Sequence, residues 1–187
     1  MLMAVMFVFT GCEKEDPVIK NPESSNLFLG LDVSSMQEHE ILAHFRNYDF
    51  SNLESNYDDV RVISSSSDDL SNKPRISTRA SCQAAGRLRK LSGTATGYSV
   101  LVLENGTSPI AFLNFTGNPS QILYYSIDDT KSYDFVIGVS SGGGSSEDFS
   151  FNVVRPSGGA TSYWFYGIDA TSGEFGEITD IDYFVCP

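Results

Sequence analysis

From Cys82 onward the sequence consists of short apolar runs separated by Gly, Asn, Asp and Pro, at intervals of about 8 to 14 residues. No helical periodicity separates these runs, which argues against βαβ units and a parallel sheet. The pattern predicts a mainly β chain with an antiparallel β-sandwich of about eight strands, jelly-roll-like or otherwise unlike the immunoglobulin fold. The predicted strands are 86–91, 98–103, 110–115, 121–127, 133–139, 149–154, 163–168 and 178–186.

Side-chain alternation predicts which face of each strand is buried. In the run 149–154, Phe149, Phe151 and Val153 recur at every second position between polar residues, as expected for a strand with one solvated face. Asn105 and Gly106 separate two apolar runs and predict a tight hairpin turn, because both residue types tolerate a positive φ.

The N-terminus begins with an uncharged apolar run, residues 1–9, followed by Thr10, Gly11 and Cys12 and then by acidic residues. About nine apolar residues are too few to cross a hydrocarbon core of ~30 Å as a helix, but they suit the apolar part of an export signal. Phe9-Thr10-Gly11-Cys12 resembles the lipobox of bacterial lipoproteins. The acidic residues Glu13, Glu15 and Asp16 resemble the signal that directs surface-displayed lipoproteins to the outer leaflet.

This resemblance implies a location and a means of attachment. Cys12 would be lipidated and become the mature N-terminus, anchoring the protein in the outer membrane at the cell surface or on the periplasmic face. Several acyl chains hold a protein stably where one does not, so the lipid on Cys12 would be enough to keep the protein attached to the membrane.

With Cys12 assigned to lipid, Cys82 and Cys186 remain as one even pair in an oxidising compartment. We expect a disulfide that closes nearly the whole C-terminal region. The alternative is two unrelated buried thiols, since free Cys is often buried as a small apolar residue.

Composition divides the chain into five parts: a signal peptide (1–11), a tether (12–26), a small partly helical segment (27–63), a flexible Ser-rich linker (64–81) and the β-sandwich domain (82–187). Ser35 and Glu38 fit a capping box that opens a helix reaching Phe45. Segment 27–63 either packs on the sandwich or serves as a partly ordered spacer.

Several chemistries are disfavoured. With 12 Lys and Arg against 24 Asp and Glu, the chain lacks the basic surface that nucleic acid requires. His39 and His44 are five residues apart, so a helix places them on different faces and a zinc site is not predicted. The Gly-rich run 141–145 lacks the Lys and the helix of a phosphate-binding loop and predicts a mobile hairpin loop. No catalytic triad is recognisable, and we predict that the protein is not an enzyme.

No cofactor is predicted, and calcium is the one alternative. Carboxylates occur in pairs at Asp128 with Asp129, Glu147 with Asp148, Asp169 with Glu174 and Asp180 with Asp182. Such pairs suit a calcium site or a glycosidase if the fold brings them together. Otherwise they are solvated charges that keep sheet edges from pairing.

The run Tyr163-Trp164-Phe165-Tyr166 is the main candidate binding feature. If Tyr163 and Phe165 face the core, Trp164 and Tyr166 stand on the outer face, about 7 Å apart, and suit stacking on sugar rings. Tyr124 and Tyr98 are candidates to extend this surface. Trp164 instead packs between the sheets if the alternation is reversed, and a protein-binding hot spot would have the same composition. The basic residues Arg87, Arg89 and Lys90 are expected at a solvated edge.

These features predict a non-catalytic surface lipoprotein whose sandwich binds an extracellular ligand, and the leading candidate is a glycan bound through Trp164, Tyr166 and Tyr124. The alternative is a structural, adhesive or partner-docking lipoprotein that contacts a surface protein through a sheet edge. A glycoside hydrolase is third. Glycan binding requires an exposed Trp164, adhesion an unpaired edge strand, and hydrolysis two facing carboxylates in a cleft.

Overall fold

A computed structural model of the chain describes residues 27–50, 61–64, 81–116, 121–182 and 184–187. Two short strands and one helix come first, and nine further strands follow. The elements are β1 (Leu27–Phe28), β2 (Leu31–Asp32), α1 (Glu38–Phe45), β3 (Arg61–Ser64), β4 (Ser81–Ser92), β5 (Gly97–Glu104), β6 (Ser108–Thr116), β7 (Ile122–Asp128), β8 (Tyr133–Ser141), β9 (Glu147–Val154), β10 (Ala160–Ile168) and β11 (Phe175–Ile181).

Two antiparallel sheets form the sandwich. The front sheet has the order β3-β10-β9-β4-β7, and the back sheet has the order β11-β8-β5-β6. The prediction of a β-sandwich is confirmed, and each of the eight predicted runs lies on one of the strands β4 to β11. The last run was placed too late: β11 ends at Ile181, after Asp180 takes a φ of 55° that an extended strand does not accommodate.

The core lies between the sheets and is rich in aromatic rings. Phe149 and Phe151 of β9 are fully buried, as the alternation predicted, and Phe151 contacts Phe135 of the back sheet with ring centroids 5.6 Å apart. The predicted hairpin turn is also present, since Asn105 and Gly106 both have positive φ between β5 and β6.

The predicted disulfide is present. Cys82 near the start of β4 bonds Cys186 after β11, with a Cα–Cα distance of 5.7 Å and a sequence separation of 104 residues. The bond therefore connects β4 of the front sheet to the C-terminal segment that leaves β11 of the back sheet.

Residues 27–50 pack against the outer face of the back sheet, which decides between the two alternatives for this part of the chain. Phe28, Ile41 and Phe45 are buried and form a second apolar cluster with side chains of β5, β6 and β8. The ring of Phe28 lies over Gly138, where an added Cβ would stand 3.1 Å from the ring. A side chain at this position would force the Phe28 ring to shift by a few tenths of an ångström.

The capping box was predicted two residues too early. Helix α1 begins at Glu38, and the box is formed by Gln37 and Glu40, whose Oε2 accepts a hydrogen bond from the Gln37 N–H at 2.8 Å. Glu38 instead points toward β6, where its Oε1 accepts from the Phe112 N–H at 3.4 Å. Tertiary packing of the buried face of the helix, not the local Ser-x-x-Glu pattern, sets the start of the helix.

Strand β3 was not predicted, and it pairs with β10 from Arg61 opposite Trp164 to Ser64 opposite Thr161. The predicted linker 64–81 lies outside the described residues except for its two ends, which belong to β3 and β4. The predicted signal peptide, tether and lipidation site at Cys12 also lie outside the described residues. Within the described ranges, no helix is both long and apolar enough to span a bilayer.

Candidate ligand-binding face

The outward side of the front sheet, here called the front face, is the candidate binding surface. The outward side of the back sheet is covered by residues 27–50, whereas the front face presents both aromatic and basic side chains. Antiparallel register arranges these side chains in rows across the strands, because paired residues share a face.

Trp164 stands on the front face, which decides between the two orientations that the sequence left open for it. Its neighbours Tyr163 and Phe165 belong to the core and are 5% and 0% exposed, whereas Trp164 is partly exposed and lies outside the core cluster. Trp164 pairs with Ser150 of β9, which pairs with Arg89 of β4. In this row the indole of Trp164 and the guanidinium of Arg89 lie on either side of Ser150, and the backbones of Trp164 and Arg89 are about 10 Å apart.

Tyr166 lies beside Trp164 but within an irregularity of the strand. The register between β10 and β9 shifts between Phe165 and Ile168, and Gly167 has a φ of 68°. Asp148 of β9 holds this bulge: its Oδ1 accepts the Gly167 N–H at 2.8 Å, and its Oδ2 accepts the Ser92 hydroxyl at 2.6 Å. A bulge redirects nearby side chains, so Asp148 helps to set the orientation of Tyr166, which is 41% exposed.

Tyr124 and Tyr98 are not brought to the same place. Tyr124 is 66% exposed on the front face, but it shares a row with Ala160, three strands away, so its backbone stands about 19 Å from that of Trp164. Tyr98 is fully buried in the core, and the prediction that it extends the platform was wrong. The alternation of β5 turns it inward, and burial, aided by the charges of Glu147 and Asp148, raises its pKa.

Arg87 and Arg89 also lie on the front face. The pairing of β4 with β7 ends at Arg87 opposite Ile122, so Arg87 projects from the interior of the sheet, and its expected position at an edge was wrong. Arg89 lies beyond that ladder, and β9 is its one neighbour among the described strands, as expected for an edge position. The Arg87 row continues through Asn152 to Ser162, next to the row that contains Trp164. Sequence reasoning identified the shared side of the two arginines but not their proximity to Trp164, because strand order was unknown.

Glu147 has a structural role that the sequence did not suggest. It is fully buried, and its Oε1 accepts the N–H groups of Thr94 and Gly144, both at 2.8 Å, while its Oε2 accepts the Ala95 N–H at 3.0 Å. The Ala170 N–H donates to the Gly144 carbonyl at 3.0 Å. One carboxylate thus joins the β4–β5 and β8–β9 connections, with the β10–β11 connection attached to them.

The predicted hairpin at the Gly-rich run was therefore wrong. This run leads from β8 in the back sheet to β9 in the front sheet, and Gly144 within it donates to Glu147. Burial alone would raise the pKa of Glu147, but the hydrogen bonds donated by Gly144, Ala95 and Thr94 outweigh burial and lower it from 4.5. The carboxylate is held in its charged form.

The remaining carboxylate pairs form no metal site: within the described part of the chain, no group of three or more His, Cys, Asp or Glu is placed to hold an ion. Asp169 accepts hydrogen bonds from Thr171 in its own loop, and the Glu174 carboxylate accepts the Asp169 N–H at 2.8 Å. Burial raises the pKa of Glu177, and the nearby charge of Asp134 raises it further.

A groove of about 310 Å³ lies where β1 meets the β10–β11 connection. Its lining is mainly apolar and contains none of the predicted binding residues. The residues that line it are Leu27, Leu29, Gly30, Tyr48, Ala170, Thr171, Ser172, Gly173 and Phe175.

The front face therefore combines a Trp, a bulge-oriented Tyr and two arginines on adjacent rows of one sheet. Small and polar side chains lie between them on β9. Comparison of the chain with known protein families, curated proteins and solved structures gave no match.

Proposed function

We propose that this protein is a non-catalytic binding protein whose front face recognises a glycan. The observation that carries the proposal is the placement of Trp164 and Tyr166 side by side on the outward side of the sheet, with the residues between and before them in the core. A large aromatic side chain in a sandwich gains most by packing inside, so its outward position calls for a role at the surface.

The chemistry of this face suits a sugar. The apolar face of a pyranose ring stacks on an indole, and hydroxyl groups at the ring edge need hydrogen-bond partners. Asn152 and Ser162, both partly exposed, lie in the row next to Trp164 and supply amide and hydroxyl groups. Rigid strands hold these groups in place, so little conformational entropy is lost when a ligand binds.

The proposal includes the location of the protein. Cys12 is proposed as the lipid-bearing N-terminus that anchors the protein in the outer membrane, at the cell surface or on the periplasmic face. The Cys82–Cys186 disulfide supports this placement, because such bonds form and persist in oxidising compartments. A calcium requirement is not part of the proposal.

Intrinsic fluorescence tests the binding function directly, because Trp164 is the single Trp of the chain. The full chain is titrated with soluble polysaccharides while acrylamide quenching of Trp164 is followed. Binding is expected to shift the emission to the blue and to reduce quenching. Tyr166→Ala is expected to weaken binding about tenfold, since an aromatic contact is worth roughly 1 to 1.5 kcal/mol.

Tyr124→Ala is the matched control, because Tyr124 is exposed on the same sheet but far from Trp164. It should bind like the unchanged protein. Failure of every polysaccharide to protect Trp164 would refute the proposal. Equal losses for Tyr124→Ala and Tyr166→Ala would show that the aromatic pair is not the site.

A second candidate function is supported by the edge strand β7. Its one partner among the described strands is β4, it pairs without a bulge, and it contains neither Pro nor a basic residue. Such an edge is open to pairing with another strand, and Ile122 and Tyr124 on it are 44% and 66% exposed. Both edge strands of the back sheet, β6 and β11, contain register irregularities.

Sedimentation velocity tests the second candidate with a second copy of the chain as the partner. Concentration-dependent dimers that Ile122→Lys abolishes would support pairing through β7. A monomer at every concentration would exclude self-pairing through this edge.

A further inference from the structure

We propose that the glycan bound at the front face is anionic, and that Arg87 and Arg89 recognise its carboxylate or sulfate groups. This inference rests on the proposed function, since it specifies the ligand class of the same site. It is carried by a separate observation, the position and pairing state of the two guanidinium groups.

Arg87 and Arg89 lie close to Trp164 on the front face. Arg89 shares a row with Trp164, and Arg87 stands two residues along β4 on the same face. The backbones of Arg89 and Trp164 are about 10 Å apart, and successive rows are about 7 Å apart. A sugar ring stacked on the indole therefore lies within reach of an extended guanidinium on the neighbouring side.

Three of the five basic residues of the sandwich domain are paired or buried. Residues 82–187 have 5 Lys and Arg against 11 Asp and Glu. Lys131 pairs with Glu104 at 3.3 Å, Lys90 donates to the Ala95 carbonyl at 2.8 Å, and Arg155 is buried. The two that remain are Arg87 and Arg89.

No carboxylate of the described residues pairs with either arginine, although acidic residues outnumber basic ones twofold. Both unpaired guanidinium groups lie on the one face that also presents the single Trp. An acidic domain that leaves an exposed arginine, Arg89, and a partly exposed one, Arg87, available beside an aromatic platform is suited to a ligand that carries the opposite charge.

The carboxylate of Asp148 is a negative charge on the same face. Asp148 is two residues before Ser150 and shares its side of β9, so it is the described carboxylate next to the Arg89 row. Both of its oxygens already accept hydrogen bonds, from Gly167 and Ser92. Asp148 reduces the local positive potential but keeps its bonds to the bulge, and the guanidinium donors stay available to ligand.

Guanidinium groups bind planar anions through two parallel N–H donors, which gives geometric selectivity as well as attraction. Neutral sugars carry no anionic group for the two arginines to bind. They would be held only by the aromatic contact and the hydroxyl-binding groups. Binding of an anionic glycan is therefore expected to weaken as salt rises, whereas binding of a neutral one is not.

The experiment uses the full chain and two matched pairs of polymers. Polygalacturonate is compared with its methyl-esterified form, and dextran sulfate with dextran, by protection of Trp164 from acrylamide. The first pair reports carboxylate and the second reports sulfate. At least one anionic polymer is expected to bind about tenfold more tightly than its neutral counterpart, since charge-assisted hydrogen bonds are roughly twice as strong as neutral ones.

Variants then locate the effect. Arg87→Gln with Arg89→Gln should remove the preference for the anionic polymer, and Arg87→Lys with Arg89→Lys should restore it only in part, because the charge is kept without the planar pair of donors. Arg46→Gln is the control, since Arg46 is exposed after α1 on the side of the back sheet. It should leave binding unchanged.

The outcomes separate the two proposals. If neutral and anionic polymers protect Trp164 equally, or the glutamine variants bind anionic polymer as the unchanged chain does, the inference is overturned and glycan binding stands. If Arg46→Gln loses as much as the double variant, the attraction is non-specific and the inference is also overturned. If no polymer protects Trp164, the proposed function itself fails.

Discussion

Removing the Glu147 carboxylate is expected to destabilise the sandwich strongly, because it removes a buried hydrogen-bond acceptor at the start of β9. Three backbone N–H groups, those of Thr94, Ala95 and Gly144, donate to this one side chain at 2.8 to 3.0 Å. Glu147 is fully buried, so water does not reach the carboxylate. Loss of these bonds releases both connections that the carboxylate holds.

The magnitude follows from the exposure of the donors. A hydrogen bond to a charged group contributes about 1.5 to 3 kcal/mol when its donor is buried. Ala95 is 1% exposed, so its N–H is left without a partner in Glu147→Ala, whereas Thr94 is exposed and Gly144 partly so, and water replaces part of their bonds. We expect a loss of about 3 to 4 kcal/mol in the free energy of unfolding for Glu147→Ala.

Glu147→Gln separates charge from size. An amide oxygen in the place of Oε1 still accepts from Thr94 and Gly144, but the amide nitrogen then faces the Ala95 N–H, donor against donor. The expected loss is about 2 kcal/mol. Urea unfolding with the disulfide intact measures both losses, and Glu174→Ala, which removes one loop hydrogen bond, is the control at about 1 kcal/mol or less.

The pH dependence gives an independent test of the same reasoning. Because the folded-state pKa of Glu147 is lowered from 4.5, its contribution to stability is fully present above that pH and is lost as the pH falls through the lower folded value. Glu147→Gln should lack this part of the acid sensitivity. A Glu147→Gln protein within 0.5 kcal/mol of the unchanged chain at neutral pH would contradict the assigned role.

Three further predictions concern stability. Replacing Cys82 and Cys186 by Ala should lower the free energy of unfolding by up to about 4.7 kcal/mol, the chain-entropy value for a loop of this size, as measured by the urea midpoint; no shift would show that the bond adds nothing to stability. Glu177→Gln should raise stability at neutral pH by about 0.5 kcal/mol or less. Burial and the Asp134 charge raise the pKa of Glu177, so the cost of its charge is present at neutral pH and disappears as the pH falls through that raised value; a benefit that persists in acid would contradict this. Phe28→Ala should cost about 3 kcal/mol and expose residues 27–50 to protease while the near-ultraviolet signal of the sandwich persists; protection unchanged from that of the parent chain would refute the packing.

Local patterns predicted the strands because each strand must bury one face. The alternation of Phe149 and Phe151 with polar residues, and the Asn105-Gly106 turn, are short-range signals that need no knowledge of neighbours. The same alternation left two positions open for Trp164, the outer face and the space between the sheets. The capping box failed because Ser-x-x-Glu is a weak signal that the packing of Ile41 and Phe45 overrides.

The arrangement of residues on the front face could not be predicted from such local patterns, because it depends on strand order. Alternation put Tyr124 and Trp164 on one face, but strand order separates them by three strands. The same strand order brings Arg89 to the row of Trp164, although 75 residues separate the two along the chain. Glu147 is a further example, since the partners of its carboxylate come from loops that no local pattern connects.

Periodicity, turn chemistry and the count of cysteines were enough to predict the β class, the strand positions and the disulfide pair. The tertiary contacts alone establish which strands are neighbours, that Trp164 stands outside the core, that residues 27–50 cover the back sheet, and that Glu147 joins the loops. Strand pairing between distant segments is chosen by the packing of the whole core, because many pairings satisfy the same alternation and differ in how well they bury the aromatic rings.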